Sequence, residues 1–486
     1  MNTYIGIDLG TSGVKTILVD KSGNILSQAT ETYDCVHLKD DYSEQNPNIW
    51  FENTIKCLKK LLINQDKNSV KAISFGGQMH GLVTLGENDE IIRPAILWND
   101  GRSVKEVEYL NNIIGKKITD LTGNIAFAGF TAPKILWMRE NEPDLFKKVK
   151  KIMLPKDYLI YKFSNVFASD VSDASGTLYF DVKNRCYSSE MLEICGIDIN
   201  MLPKIYESYE VIGSLSKEIY ELLGLNQDVK IIAGAGDNAA AAIGTGTIHD
   251  GDINISLGTS GTIFIATKNF SVDSKNALHS FCDSTGHYHL MGCILSAASC
   301  RSWWLEEILK DNDYQEDENS LKDSEVIFLP YLMGERCPHN DVNARGAFIN
   351  LSLNTKRGEI SKAILEGVAF ALKDCFDAAS LSGTKPSSIS LCGGGARSET
   401  WKQIIADVFD IPVKILKTNQ GPSYGAAILA MVGSKEYDSL EDAIKSIIKT
   451  DRVILPNKNH LEYYKRKYSI YKKLYPALKE LENNNK

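Results

Sequence analysis

Asp8 and Lys15 stand on either side of a small polar turn, and that spacing suggests phosphate chemistry. The turn, Leu9-Gly10-Thr11-Ser12-Gly13, returns about half a chain later as Leu257-Gly258-Thr259-Ser260-Gly261. A tip built from glycine, threonine and serine exposes backbone N–H groups that can cradle phosphate oxygens. In the first copy a carboxylate and an ammonium flank the tip. Aligned residue for residue, the second copy has Ser256 and Ile263 in those places. The charged copy is the candidate for a metal and the reacting phosphate, because Mg²⁺ is held by one or two carboxylates, its own waters and substrate phosphates. The neutral copy suits hydrogen bonds to further phosphates. A turn-capping aspartate is the competing reading of Asp8.

A second carboxylate, Asp237, follows the apolar run Val229 to Ala233 and Gly234-Ala235-Gly236, and it heads an alanine-rich stretch. As an N-cap it would stabilise a helix. Facing a cleft, it could accept the proton of an alcohol that attacks a phosphoryl group, a reaction that is largely positioning. The two roles are compatible. His80 follows the strand-like Val70 to Phe75 within Gly77-Gln78-Met79-His80-Gly81, where it could hydrogen-bond a polyol or serve structure alone. His287 and His289 alternate as in a strand with no third ligand near them, so no metal site is expected there.

The elements that must position these residues are legible from periodicity. Tyr4 to Asp8 and Asp252 to Ser256 alternate as strands do, and Val14 to Val19 and Thr262 to Ala266 follow the two tips as β-rich runs. Each copy therefore reads as a hairpin with a polar tip. Ser388 to Cys392 runs into Gly393-Gly394-Gly395-Ala396-Arg397 and then into a helix with Trp401, Ile404, Ile405 and Val408 on one face. Glycines at such strand-to-helix junctions let backbone N–H groups approach an anion. The expected architecture is a duplicated α/β fold with its junction near Gly244 to Gly251. In the tail, Tyr464, Tyr468, Tyr471, Tyr475 and Leu478 fall at helical spacing, as a core-docking face would. Asp311 to Glu325, rich in acids, reads as a solvated loop.

Composition narrows the function classes. A chain of 486 residues with 43% hydrophobic and 24% charged residues is globular, with two to three domains. Its 62 acidic residues outnumber 54 basic ones without a basic stripe, so nucleic acid is not the expected partner. Ten cysteines form no C-x-x-C pair and read as reduced thiols. No leader of basic flank and apolar core opens the chain, and no apolar stretch reaches the roughly 20 residues of a membrane span. A soluble cytoplasmic protein with no membrane partner is expected. G-x-x-x-x-G-K-[ST], an initial G-x-G-x-x-G and G-x-S-x-G are absent, which sets aside P-loop, dinucleotide-binding and α/β-hydrolase readings. Two phosphate-type hairpins facing a cleft suit a nucleoside triphosphate held between related domains.

Ordered segments then carry a resemblance. IGIDLGTSGVK (5–15), GQMHG (77–81), WNDGR (98–102), GFTAPK (129–134), LPKDY (154–158), SDVSDASGT (169–177), GDNAAAA (236–242), SLGTSG (256–261), LPYLMGER (329–336) and CGGGARS (392–398) together resemble the FGGY family of carbohydrate kinases. The similarity runs from about residue 3 to 432 and is weak in the tail. It implies duplicated actin-like ATPase domains of ribonuclease-H-like α/β fold flanking a central cleft. The implied division is a sugar-binding and catalytic domain over 1–246, a nucleotide-binding domain over 252–440 and a helical tail over 441–486.

The resemblance implies that Asp237 is the general base and that Asp8 acts beside Mg²⁺ and the phosphate. It further implies that Met79, His80, Asp237 and Asn238 contact the sugar. Gly10, Thr11, Lys15, Gly258, Thr259, Gly394 and Gly395 would contact ATP. GQMHG favours members that phosphorylate D-xylulose at its 5-hydroxyl over those acting on ribulose, gluconate or glycerol. A small ketose is thus the expected partner, and a homodimer is left open. The different-class alternative is an ATP-driven binding or chaperone protein on the same fold. That reading needs a peptide-binding β-domain, which a tail of about 50 residues cannot supply.

Overall fold

The computed structural model describes residues 1–36, 42–273, 275, 277–311, 323–380, 386–418 and 421–483. Most of the acid-rich stretch expected as a solvated loop, residues 312–322, lies outside the described residues. The strands form two seven-stranded sheets and several two-stranded ribbons. In the first sheet β1 (Thr3–Leu9), β2 (Gly13–Asp20) and β3 (Ile25–Thr32) make an antiparallel meander. β4 (Val70–Gly77) runs parallel to β1. β5 (Val211–Ser214) is the far edge, antiparallel to β6 (Lys230–Ile232), which itself runs parallel to β4.

The second sheet repeats the plan. β7 (Asp252–Leu257) and β8 (Gly261–Thr267) form the second hairpin, and β9 (His279–Cys282) is the edge beyond β10 (Tyr288–Ile294), which pairs with β8. β11 (Ser388–Cys392) is parallel to β7 and β12 (Val413–Leu416) is parallel to β11. β13 (Thr450–Ile454) closes the sheet antiparallel to β12. The order β5-β6-β4-β1-β2-β3 thus reappears as β13-β12-β11-β7-β8-β10, so the duplication extends from the hairpins to the whole sheet.

β13 corrects the expectation that residues 441–486 are helical throughout. An edge strand pairs on one side only and tolerates polar residues, so Thr450–Ile454, mostly exposed, shows little apolar periodicity. The tyrosine face behaves as expected within the last helix, Leu461–Asn483: Tyr464 and Tyr471 are buried in the second core, with Tyr468, Tyr475 and Leu478 packed against it.

β1 explains the placement of the site. Ile5, Ile7 and Leu9 enter one core, whereas Tyr4, Gly6 and Asp8 point to the opposite face, as strand alternation requires. That face is covered by helices from both halves. α1 (Asp237–Thr245) follows β6 and α2 (Glu399–Phe409) follows β11. α3 (Pro422–Gly433) follows β12, yet it lies on β1 and β4 of the first sheet, while α1 reaches β7 and β11 of the second. The approach is backbone to backbone. A Cβ on Gly6 would lie 1.9 Å from the Ser423 carbonyl oxygen, and one on Gly425 would lie 1.8 Å from that of Ala240. A boundary near residue 250 separates the sheets in sequence, but each sheet is completed by a helix of the other half. Among the described residues no helix is long and apolar enough to cross a membrane.

Candidate active site

Between the sheets lies a cavity of about 710 Å³. Its wall includes Asp8, Lys15, Asp237, Asn238 and Ser256, the glycines Gly393, Gly394 and Gly421, and the cations Arg397, Lys402 and Lys414. Asp8 and Lys15 are direct cross-strand partners, so both project from the β1–β2 hairpin toward the same space. Burial, and next the charge of Asp237, push the Asp8 carboxyl up to about 7, with Lys15 opposing. Burial lowers Lys15, and Asp8 works against that.

The two hairpins are not in the same register. Leu9 pairs with Val14, but Leu257 pairs with Gly261, so the second tip is one residue shorter. The cross-strand partner of Ser256 is therefore Thr262, and not Ile263 as residue-for-residue alignment implies. Ile263 is buried in the core. Thr262 faces the cleft and donates from Oγ1 to Asn238 Oδ1 at 3.2 Å.

Asp237 is the first residue of α1. Its Oδ1 accepts from the Asn238 backbone N–H at 2.7 Å and from Asn238 Nδ2 at 2.9 Å. No described residue hydrogen-bonds Oδ2. Gly236, and not Asp237 as expected, is the N-cap of α1, so the Asp237 side chain caps nothing: one oxygen is tied to the next residue and the other is available. Burial raises Asp237 to about 6, and the two Asn238 hydrogen bonds oppose the rise. A carboxylate poised there is ionised at neutral pH yet more basic than a free aspartate.

Met79 and His80 lie beside this end of α1. A Cβ on Gly236 would come within 2.9 Å of Met79 Sδ. His80 has φ +70 and is pinned from three sides: Thr131 Oγ1 donates to its carbonyl at 3.1 Å, Lys134 Nζ donates to the same oxygen at 2.9 Å, and its Nδ1 meets the Gly176 carbonyl at 2.7 Å. Burial drives the imidazole down to about 3, so it is neutral. A ring nitrogen facing a carbonyl must carry the proton, which leaves Nε2 as an acceptor for a hydroxyl. The surrounding rings come from both halves: Phe130 at 5.0 Å and Phe281, on β9, at 6.1 Å. The ring cluster around His80 is therefore not the property of residues 1–246 alone.

Of the other expected nucleotide contacts, Gly394 lines the cavity, whereas Gly10, Thr11, Gly258, Thr259 and Gly395 do not. Thr11 Oγ1 accepts from Trp98 Nε1 at 2.8 Å and donates to Gln78 Oε1 at 3.1 Å, bracing the first tip. Gly10 closes that turn through its N–H to the Gly13 carbonyl, and Tyr33 donates to the Gly10 carbonyl. Gly258 and Thr259 accept backbone N–H groups from Ala298 and Ala297. Gly394 borders the cavity with open space where a Cβ would stand, but a Cβ on Gly395 would lie 2.8 Å from Leu257 and Trp401, so Gly395 is a packing glycine. Arg397, Lys402 and Lys414 were not singled out, and only the junction CGGGARS pointed toward them.

A buried ionic group also escaped the sequence reading. Lys156 Nζ contacts Asp157 Oδ1 at 2.9 Å, Asp170 Oδ1 at 3.1 Å and the Ala233 carbonyl at 3.2 Å. Asp170 Oδ2 accepts from the Ser172 N–H and hydroxyl and from Ser208 Oγ, and the Gly236 N–H donates to Ser172 Oγ at 3.0 Å. A chain of polar contacts thus runs from a buried lysine to the peptide that carries Asp237.

Comparisons with known proteins agree along the whole chain. Residues 3–244 match the N-terminal domain of the FGGY family of carbohydrate kinases, and residues 253–434 match its C-terminal domain. The chain is 38% identical over 484 residues to the xylulose kinase of Escherichia coli (strain K12), covering 98% of this chain and 99% of that one. Its fold is similar to a solved structure described as a "xyloylose kinase" from Brucella ovis, with TM-score 0.94, 37% identity and coverage of 99% and 100%. A gluconate kinase from Lactobacillus acidophilus gives TM-score 0.93 at 27% identity, covering 98% of each chain.

Proposed function

The chain belongs to the FGGY family of carbohydrate kinases, and from that premise we propose that it transfers the γ-phosphoryl group of ATP to the 5-hydroxyl of D-xylulose, giving D-xylulose 5-phosphate. The transfer chemistry rests on Asp237. One carboxylate oxygen is held by Asn238, the other is available, and the side chain borders the same cavity as Asp8, Lys15 and three further cations. As the sugar hydroxyl attacks, Asp237 accepts its proton, and Lys15, Arg397, Lys402 and Lys414 are suited to the triphosphate charge. Met79 and His80 would orient the sugar, with the His80 Nε2 as acceptor.

The donor set fits a hard cation. Among the described residues no group of three His, Cys, Asp or Glu could bind a metal alone, but Asp8 with phosphates and waters suffices for Mg²⁺. Bound there, Mg²⁺ supplies neutralisation of phosphate charge. Asp8 is then kept ionised despite the burial that raises it.

The sugar is favoured by identity more than by fold, since a gluconate kinase shares the fold closely at much lower identity. A coupled ADP-release assay over D-xylulose, D-ribulose, L-ribulose, glycerol and gluconate tests it. D-xylulose is expected to lead in kcat/KM by at least tenfold, about 1.4 kcal/mol of differential transition-state binding. Preference for glycerol or gluconate overturns the sugar assignment, and ADP release indifferent to any sugar favours the ATP-driven binding-protein reading. The reading also places the enzyme in the cytoplasm, and light scattering decides between a monomer and a homodimer.

A further inference from the structure

We propose that Arg336, contributed by the second half, is a substrate ligand that donates to the keto end of the sugar, remote from the hydroxyl that is phosphorylated. The inference rests on the ketose kinase reading above. Arg336 follows Gly334 and Glu335 in the LPYLMGER segment, and its guanidinium lies 4.2 Å from the ring centroid of Phe127, which belongs to the first half. A Cβ on Gly129 would come within 3.9 Å of its Nη1. The side chain thus spans the junction between halves, beside the aromatic cluster that holds His80: Phe127 and Phe130 are 5.7 Å apart, and Phe130 lies 5.0 Å from His80.

Lying over the Phe127 ring holds the guanidinium in place without using any of its five N–H donors. Among the described residues no carboxylate or carbonyl pairs with them, although the group is only partly exposed. The buried carboxylate next to it, Glu335, turns away: its Oε1 accepts from the N–H groups of Arg336 and Leu295. A partly buried fork of donors with no protein acceptor is a group in need of a ligand.

Contacts link this fork to the base. The Cys337 N–H donates to the Cys293 carbonyl, Cys293 pairs across the sheet with Thr262, and Thr262 donates to Asn238, which holds Asp237. His80 Nε2 accepts and Arg336 donates, which is the pairing a hydroxy-ketone requires. With the 5-hydroxyl at Asp237 and the chain passing His80, the keto oxygen is the acceptor left for Arg336.

Calorimetric titration of D-xylulose and of ATP into wild type, Arg336→Met and Arg336→Lys, below each melting temperature, tests the assignment. Arg336→Met is expected to weaken D-xylulose binding at least tenfold and to leave ATP affinity within about twofold, the scale of losing a charged hydrogen bond. Arg336→Lys, which keeps the charge but not the fork, falls between. Xylitol, with a hydroxyl in place of the keto group, should lose less than D-xylulose does. Unchanged D-xylulose binding by Arg336→Met overturns the proposal, as does an equal loss for ATP or for xylitol. If Arg336→Met does not fold, Arg336→Lys decides: unchanged D-xylulose affinity overturns, and a threefold or greater loss confined to the sugar supports. A wild type that neither binds nor phosphorylates D-xylulose overturns the ketose reading itself, a failure distinct from that of Arg336.

Discussion

Replacing Asp237 by Asn separates the carboxylate's capacity to take a proton from its hydrogen bond to Asn238. Asn keeps the oxygen that accepts from the Asn238 N–H at 2.7 Å, so that bond survives. What is lost is the capacity to take a proton, and kcat should fall by roughly 10² to 10⁴. Asp237 is harder to ionise in the folded chain than in the unfolded one, with its pKa raised from 3.8 to about 6 by burial. The stability this group contributes is full below pH 3.8 and is lost as pH rises through about 6. The rise corresponds to about 3 kcal/mol at 1.36 kcal/mol per pH unit, reduced to roughly 1–2 kcal/mol by the solvent that reaches the cavity. Asn does not ionise and avoids that penalty. Asp237→Asn should therefore melt about 2–3 °C above wild type at pH 7.5 and level with it near pH 4, read by differential scanning calorimetry without ligands. A variant with near-normal kcat, or one that melts below wild type at pH 7.5, refutes the argument.

Asp8→Asn should also cripple turnover, but with the Mg²⁺ concentration for half-maximal rate raised about tenfold, read by titrating free Mg²⁺ at saturating ATP; an unchanged Mg²⁺ dependence removes Asp8 from the metal. In wild type at saturating Mg²⁺ and ATP, kcat/KM for the sugar should decline as pH falls through about 6, because Asp237 must ionise; a flat profile down to pH 5 contradicts the burial argument. Ser172→Ala orphans the Gly236 N–H and should lower kcat about tenfold with sugar KM unchanged, and Ser172→Thr should restore it; a loss of melting temperature with normal kcat would make the Lys156 group purely structural.

The fold was legible because it is written twice. Strand alternation at Tyr4 to Asp8 and at Asp252 to Ser256, each leading into the same pentapeptide, indicated two related hairpins, and the sheets repeat one strand order. The exchange of helices was not legible. Nothing in the composition of Pro422–Gly433 says which sheet it covers; Gly6 lets it lie on β1 and Gly425 lets it lie against α1, since a Cβ at either would strike the facing backbone. The polar edge strand Thr450–Ile454 likewise left no periodic signal, because one side of it needs no partner.

At the site, residue type carried further than residue alignment. Asp8, Lys15 and Asp237 are recognisable by type as groups that could do chemistry, Asn238 only through the family resemblance, and all four border one cavity. The alignment of Lys15 with Ile263 failed because the second tip is one residue shorter, which in a strand turns the neighbouring side chain to the other face. Thr262 takes the place facing the cleft, and through Asn238 it ties the second hairpin to the residue beside the base. The same register change explains the division of labour between the hairpins. The first presents a carboxylate and a cation to the cavity. The second presents hydroxyls, one of which holds the helix start that carries Asp237. Opening of the cleft at β8 would break the Thr262–Asn238 hydrogen bond, one of the contacts α1 makes with the second half, so separation of the halves is expected to disturb Asp237, a loss that Thr262→Val would mimic.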